Sequence, residues 1–295
     1  GYQFIETPTL EYYDTVGGVS STLEQRLFKL LDRDGRSLVL RPDMTAPIAR
    51  VVASLLKDVP FPIRLAYQGN VYRAQEDEAG RNAEFMEVGI ELVGEETPDA
   101  DAEVITLACL SLQAAGVSQF KLAVGHIGFI HALLAERLAE EEATSLRQFL
   151  QNKNYVGYRY FVDQLALAAE DKQALLALLD LSGGKEQIER ARKWAIGEKA
   201  KQAVAELEEL WEVLELHGVT EQVMLDLRLM AQRDYYTGVL FEGYADRLGF
   251  PICSGGRYDH LLGQFGRPAP ATGFALKIDR ILEISQLPAR PKRRK

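Results

Sequence analysis

The 295-residue chain has only two cysteines, Cys109 and Cys253, far apart and without metal-ligating neighbours. Neither a disulfide framework nor a zinc site is expected, and both thiols read as buried. No apolar run reaches the roughly 18 residues that cross a bilayer, and the N-terminal GYQFIETPTLEYYD lacks a basic segment followed by an apolar core. A cytoplasmic location and no membrane partner are the expectations. Positive charge is also in short supply: 34 Lys and Arg against 43 Asp and Glu leave a net charge of −9 and a pI near 5.2. Broad attraction to a phosphate backbone needs clustered cations, so tRNA is not an expected partner. The exception, ARPKRRK at 289–295, reads as a solvated terminus or linker. The chain starts without Met inside a folded pattern and is read as a fragment at both ends. Gly183-Gly184 lacks the Lys-Ser/Thr of a phosphate loop and is read as a turn. His126, His131, His217 and His260 show no catalytic spacing to a Ser or Cys, so no histidine receives a role and no cofactor is expected.

What is present is an ordinary globular composition, 47% hydrophobic and 26% charged. LFKLLDRDGRSLVL alternates around Asp34-Gly35, a hairpin signal. RPDMTAPIARVVASLL predicts a helix with a stripe through Ile48, Val51, Val52 and Leu55. FPIRLAYQGNVYRA and EFMEVGIELVG read as a second hairpin across QEDEAGRN. TPDADAEVITLACLSLQAAG follows as a helix, its Asp99, Asp101 and Glu103 read as favourable charges at the positive N-terminal end. From Ile127 the pattern turns helical, with Val204, Leu207, Trp211 and Leu214 on one face. Strands resume at VMLDLRL, DYYTGVLFEGYA and FPICSGGRYDHLL, and GFALKIDRILEI is read as a closing helix. Hairpins flanked by helices, instead of regular βαβ units, indicate an α+β fold. The expected organisation is a core of 1–126 and 217–285, a helical insertion at 127–216 and a basic tail or linker at 286–295.

Charges inside strand patterns are costly unless paired or used. Four strands carry polar anomalies: Arg73 in NVYRA, Glu87 and Glu91 in EFMEVGIEL, Tyr235 and Tyr236 in DYYTG, and Arg257 with Tyr258 in GGRYD. Glu87, Gly89 and Glu91 fall at period two and share one strand face. An acidic face suits an ammonium or imidazolium, an arginine suits a carboxylate or phosphate, and tyrosines supply a flat wall with a polar edge. Together they describe a pocket for a zwitterionic small molecule, although each residue alone also fits a structural pair.

These strings, in this order, resemble histidyl-tRNA synthetase, a class II aminoacyl-tRNA synthetase. The resemblance covers TPTLE, LFKLLDRDGRSLVLRPDMTAPIAR, NVYRAQEDEAGRNAEFMEVGIELVG, DYYTGVLFEGY, SGGRYDHLL and GFALKIDR, with DYYTGVLFE and GGRYD specific to the histidine branch. It implies the class II antiparallel sheet flanked by helices, a homodimer and a helical insertion. By position it implies a histidine site of Asp43, Thr45, Arg73, Glu87, Glu91, Tyr235, Tyr236 and Tyr258.

The nucleotide side departs from the family pattern. Phe-Arg-x-Glu of the synthetases is Tyr72-Arg73-Ala74-Gln75 here, and Gly-x-Glu-Arg is Lys277-Ile278-Asp279-Arg280. Ala231 occupies the place of the arginine that acts on the α-phosphate, and Arg233 lies two residues on, about 7 Å along a strand. Gln75, Arg81, Ala231, Lys277 and Arg280 thus read as a vestigial nucleotide side. Losing one fixed donor costs on the order of 3 to 4 kcal/mol of transition-state stabilisation. An amino-acid half that persists beside a decayed ATP half resembles the synthetase-like regulatory subunits of ATP phosphoribosyltransferase, the first enzyme of histidine biosynthesis. That resemblance implies no intrinsic catalysis, histidine as effector, and a hetero-oligomer with the short catalytic subunit. The alternatives are a catalytic-core fragment of histidyl-tRNA synthetase and a synthetase-like sensor of uncharged tRNA.

Overall fold

A computed structural model describes residues 1–17, 19, 24–74, 82–231, 236–246 and 248–286. The chain begins with β1 (Gln3–Ile5), then folds β2 (Leu10–Tyr12), β3 (Lys29–Leu31) and β4 (Ser37–Leu40) into a small sheet of order β2-β4-β3. The β3–β4 turn spans residues 32–36. Asp32 Oδ1 accepts from the amides of Asp34 and Arg36, while Gly35 alone takes positive φ, +79°. Asp34-Gly35 signals a hairpin because both residues tolerate positive φ, yet Asp34 does not adopt it.

Helix α1 (Thr45–Ser54) starts where the Asp43 carboxylate accepts from the Ala46 amide at 3.0 Å. Ile48, Val51 and Val52 are buried as the stripe predicts, but Leu55 is 77% exposed because the helix ends one residue before it. β5 (Ile63–Tyr72) and β6 (Glu84–Val93) form the long hairpin, paired from Ile63↔Val93 to Tyr72↔Glu84. α2 (Pro98–Ala114) and β7 (Phe120–His126) follow.

The helical stretch comprises α3 (Ile127–Ala135), α4 (Glu140–Gln151), α5 (Tyr155–Gln164), α6 (Ala169–Leu178), α7 (Glu186–Arg192) and α8 (Glu198–His217). Between α6 and α7, Ser182–Gly183 forms β8, so Gly183 belongs to a sheet-edge strand and not only to a turn. On α8 the face of Val204, Leu207, Trp211 and Leu214 is buried as expected, and Gly218 ends the helix at φ +70°.

β9 (Val223–Asp226), β10 (Val239–Ala245), β11 (Cys253–Arg257) and β12 (Ala271–Lys277) complete the sheet, and α9 is Ile278–Ile284. Among the described residues the main sheet runs β1-β5-β6-β12-β11-β10-β7-β9-β8 and is antiparallel from β5 through β7. GFALK is thus a central strand, and only the following residues are helical. A helix there would strip β6 and β11 of their shared partner.

The two sheet faces have different tasks. Ile90, Leu92, Phe274 and Leu276 point into a core completed by α2, α8 and both cysteines. The opposite face carries Glu87, Gly89 and Glu91 and is backed by α1, with Met44, Ile48, Val52, Tyr67 and Tyr258 in a second cluster.

Candidate functional site

The centre of the site is Glu91, 1% exposed on a middle strand. Its two carboxylate oxygens accept from Thr45 Oγ1 at 2.8 Å and from the Tyr258 hydroxyl. Those donors come from the first turn of α1 and from the residue after β11, so α1 and the sheet jointly fix the carboxylate. A carboxylate held by two hydroxyls keeps its direction at low reorganisation cost. The backbone makes room for it: a Cβ at Gly273, directly opposite on β12, would stand 1.9 Å from Glu91 Oε2.

Glu87 lies two pleats along the same face and is also buried. Arg73 Nη2 donates to Glu87 Oε1 at 3.2 Å, its Nε donates to the Pro42 carbonyl at 2.6 Å, and the guanidinium sits 5.0 Å from the Phe85 ring centre. Between the two carboxylates Gly89 leaves space for the Tyr67 ring, whose hydroxyl donates to the Phe274 carbonyl at 3.2 Å. The cleft above is lined by Thr45, Glu87, Glu91, Tyr236, Ser254 and Tyr258, over a floor of Gly255, Gly256, Gly273, Phe274 and Ala275. Its space is about 290 Å³ including the open mouth.

Of the residues read from sequence, Thr45, Glu87, Glu91, Tyr236 and Tyr258 meet in this cleft, with Arg73 at the Glu87 edge. Asp43 is buried behind it as the cap of α1. Tyr235, Gln75, Arg81 and Arg233 lie outside the described residues. Arg257 was grouped with Tyr258, but its side chain takes the other face and pairs with Asp101 at 2.9 Å and Asp259 at 3.3 Å. Burial opposes its charge, yet the two carboxylates outweigh burial and hold its pKa above the ordinary value. Asp101 and Glu103 likewise do more than favour a helix end: Glu103 binds Arg64 through two bonds of 2.9 and 2.7 Å and accepts from Tyr2. The glycine floor, Tyr67 and Ser254 escaped the sequence reading. Glycines recurring inside strand patterns, as in SGGR and ATGF, were the available signal.

On the nucleotide side, Ala231 is half-buried against the main core. Arg280 Nη1 donates to the Pro251 carbonyl at 2.6 Å and lies 5.5 Å from the Phe250 ring centre. Asp279 accepts from the Met86 amide at 2.9 Å, tying α9 to β6. Lys277 sits directly across from Glu87. Desolvation, then Arg280 and Arg73, lower its ammonium to about 8. His126 is a structural residue, accepting from the Phe129 amide at 3.3 Å and contacting Glu206 at 2.8 Å.

An antiparallel sheet with α1 and the Glu87–Glu91 strand framing one cleft is the class II aminoacyl-tRNA synthetase arrangement. The profile described as Histidyl-tRNA synthetase matches residues 1–281. The chain belongs to that family, in the branch whose curated members are named ATP phosphoribosyltransferase regulatory subunit. The Halalkalibacterium halodurans member is 57% identical over 96% of this chain and 72% of its own length. The Bacillus subtilis member is 55% identical over 99% and 75%. A crystal structure from Bacillus halodurans, titled ATP phosphoribosyltransferase regulatory subunit/histidyl-tRNA synthetase, superposes with a TM-score of 0.94 at 56% identity, covering 97% of this chain and 75% of that one. A histidine–tRNA ligase subunit from Alicyclobacillus acidocaldarius gives 0.79 at 31% identity, covering 96% and 87%.

Proposed function

We propose that the chain is a regulatory subunit of ATP phosphoribosyltransferase without catalysis of its own, which binds histidine for feedback control and activates the short catalytic subunit in a cytoplasmic hetero-oligomer. The relatives' names supply the role. The observation that carries the histidine part is the Thr45–Glu91–Tyr258 constellation in an acidic cleft of small volume. Its carboxylate suits the ligand's ammonium or imidazolium, and Tyr236 and Tyr258 offer ring surface. Against adenylation stand the uncharged Ala231 and an Arg280 engaged with Pro251 and Phe250. Activation of an amino acid by ATP needs fixed cations aimed at the phosphoryl group under attack.

Feedback control requires histidine to bind the active and inhibited assemblies with different affinity. The homodimer implied by the family has support in exposed apolar residues on the N-terminal strands, Phe4, Leu10, Leu30 and Leu31. A synthetase reading draws on the 31%-identical ligase subunit. The test is the rate of the short catalytic subunit with and without this chain, then with added histidine. Activation by the chain and its reversal by histidine are expected. An unchanged rate with no association at micromolar concentration would remove the regulatory reading.

A further inference from the structure

We propose that Lys277 provides the cation that receives the carboxylate of the amino acid bound in this cleft. The inference rests on the histidine-binding reading above and names how its acid end is held. Cross-strand register sets the geometry. Glu87↔Lys277, Gly89↔Ala275 and Glu91↔Gly273 are directly opposite, so Lys277 emerges on the face that bears the cleft. It lies two residues from Ala275, part of the cleft floor. That separation is about 7 Å, within reach of a flexible four-carbon stem, and the short side chain of Ala275 leaves the path open.

The remaining charges narrow the choice. Glu87 and Glu91 suit the cationic groups of a zwitterion and would repel its carboxylate. Arg73 is engaged by Glu87 and Pro42, Arg257 by Asp101 and Asp259 on the opposite face, and Arg280 by Pro251. Beyond its backbone amide, which donates to the Ile252 carbonyl, Lys277 makes no hydrogen bond or ion pair through its ammonium among the described residues. A desolvated ammonium without a partner is costly to keep unless a ligand uses it. As a compact point charge it grips a carboxylate without the bidentate fit of arginine, which suits an effector that must leave again.

The experiment is calorimetric titration of the full chain at pH 7 with L-histidine, L-histidinol, whose hydroxymethyl group replaces the carboxylate, and ATP. The parent should prefer histidine over histidinol by tenfold or more. Lys277→Met should cut that preference about tenfold by weakening histidine alone, and Lys277→Arg should retain most of it. Unchanged histidine and histidinol binding in a folded Lys277→Met chain overturns the assignment, as does loss of ATP binding alone, which would place a phosphate on this amine. A parent chain that binds neither histidine nor histidinol overturns the histidine reading itself, and this inference with it.

Discussion

Lys277 and Glu91 show how differently two charges can be treated on one sheet face, four positions apart along the β6–β12 ladder. Glu91 receives two hydroxyl donors and a glycine-sized recess, whereas the Lys277 ammonium is lowered to about 8 by desolvation and by Arg280 and Arg73. Glu87, Glu242 and the Cys253 thiol also face it. An unfolded lysine titrates near 10.4, so between pH 8 and 10.4 the unfolded chain binds more protons than the folded one. Stability contributed by this group therefore rises with pH across that window, and the charged form works against folding below it. Lys277→Met should accordingly melt above the parent at pH 7, by about 2–4 °C for each kcal/mol gained. The gap should close above pH 10; thermal scans from pH 6 to 10.5 check it. Glu91 was legible as an anomaly because period two puts it beside Glu87. Its donors were not, since Thr45 and Tyr258 lie 46 and 167 residues away in sequence.

At the scale of elements, the hairpins and amphipathic helices were readable because their periodicity is local. The last strand was misread for an equally physical reason. GFALKIDRILEI carries the helix formers Ala275, Leu276, Lys277, Arg280, Leu282 and Glu283, and what makes its first part a strand is the shared ladder with β6 and β11, a non-local demand. The N-terminus of α2 teaches the same lesson. Asp101 has a favourable place on a helix dipole, yet its main partner is Arg257, 156 residues away and nearly as buried. Removing Asp101 leaves Arg257 with Asp259 but takes away its shorter carboxylate contact, a charged hydrogen bond of about 1.5–3 kcal/mol. Asp101→Ala should lower unfolding free energy by that amount in urea, with Asp99→Ala, on an exposed neighbour, close to neutral.

Across the whole molecule, one sheet separates an apolar face packed under α2 and α8 from a carved face open to a ligand. The α+β class followed from the order of the elements, and the family from short strings on that carved face. What the strings could not convey is how the face is carved: glycines at 89, 255, 256 and 273 act through missing atoms, visible only when neighbours are in place. The central claim is that this carved face still holds histidine and no longer activates it. The direct measurement is histidine titration of the full chain with histidine-dependent ATP–pyrophosphate exchange followed in the same preparation. Saturable histidine binding with exchange at background is the predicted result; exchange at synthetase rates would contradict it.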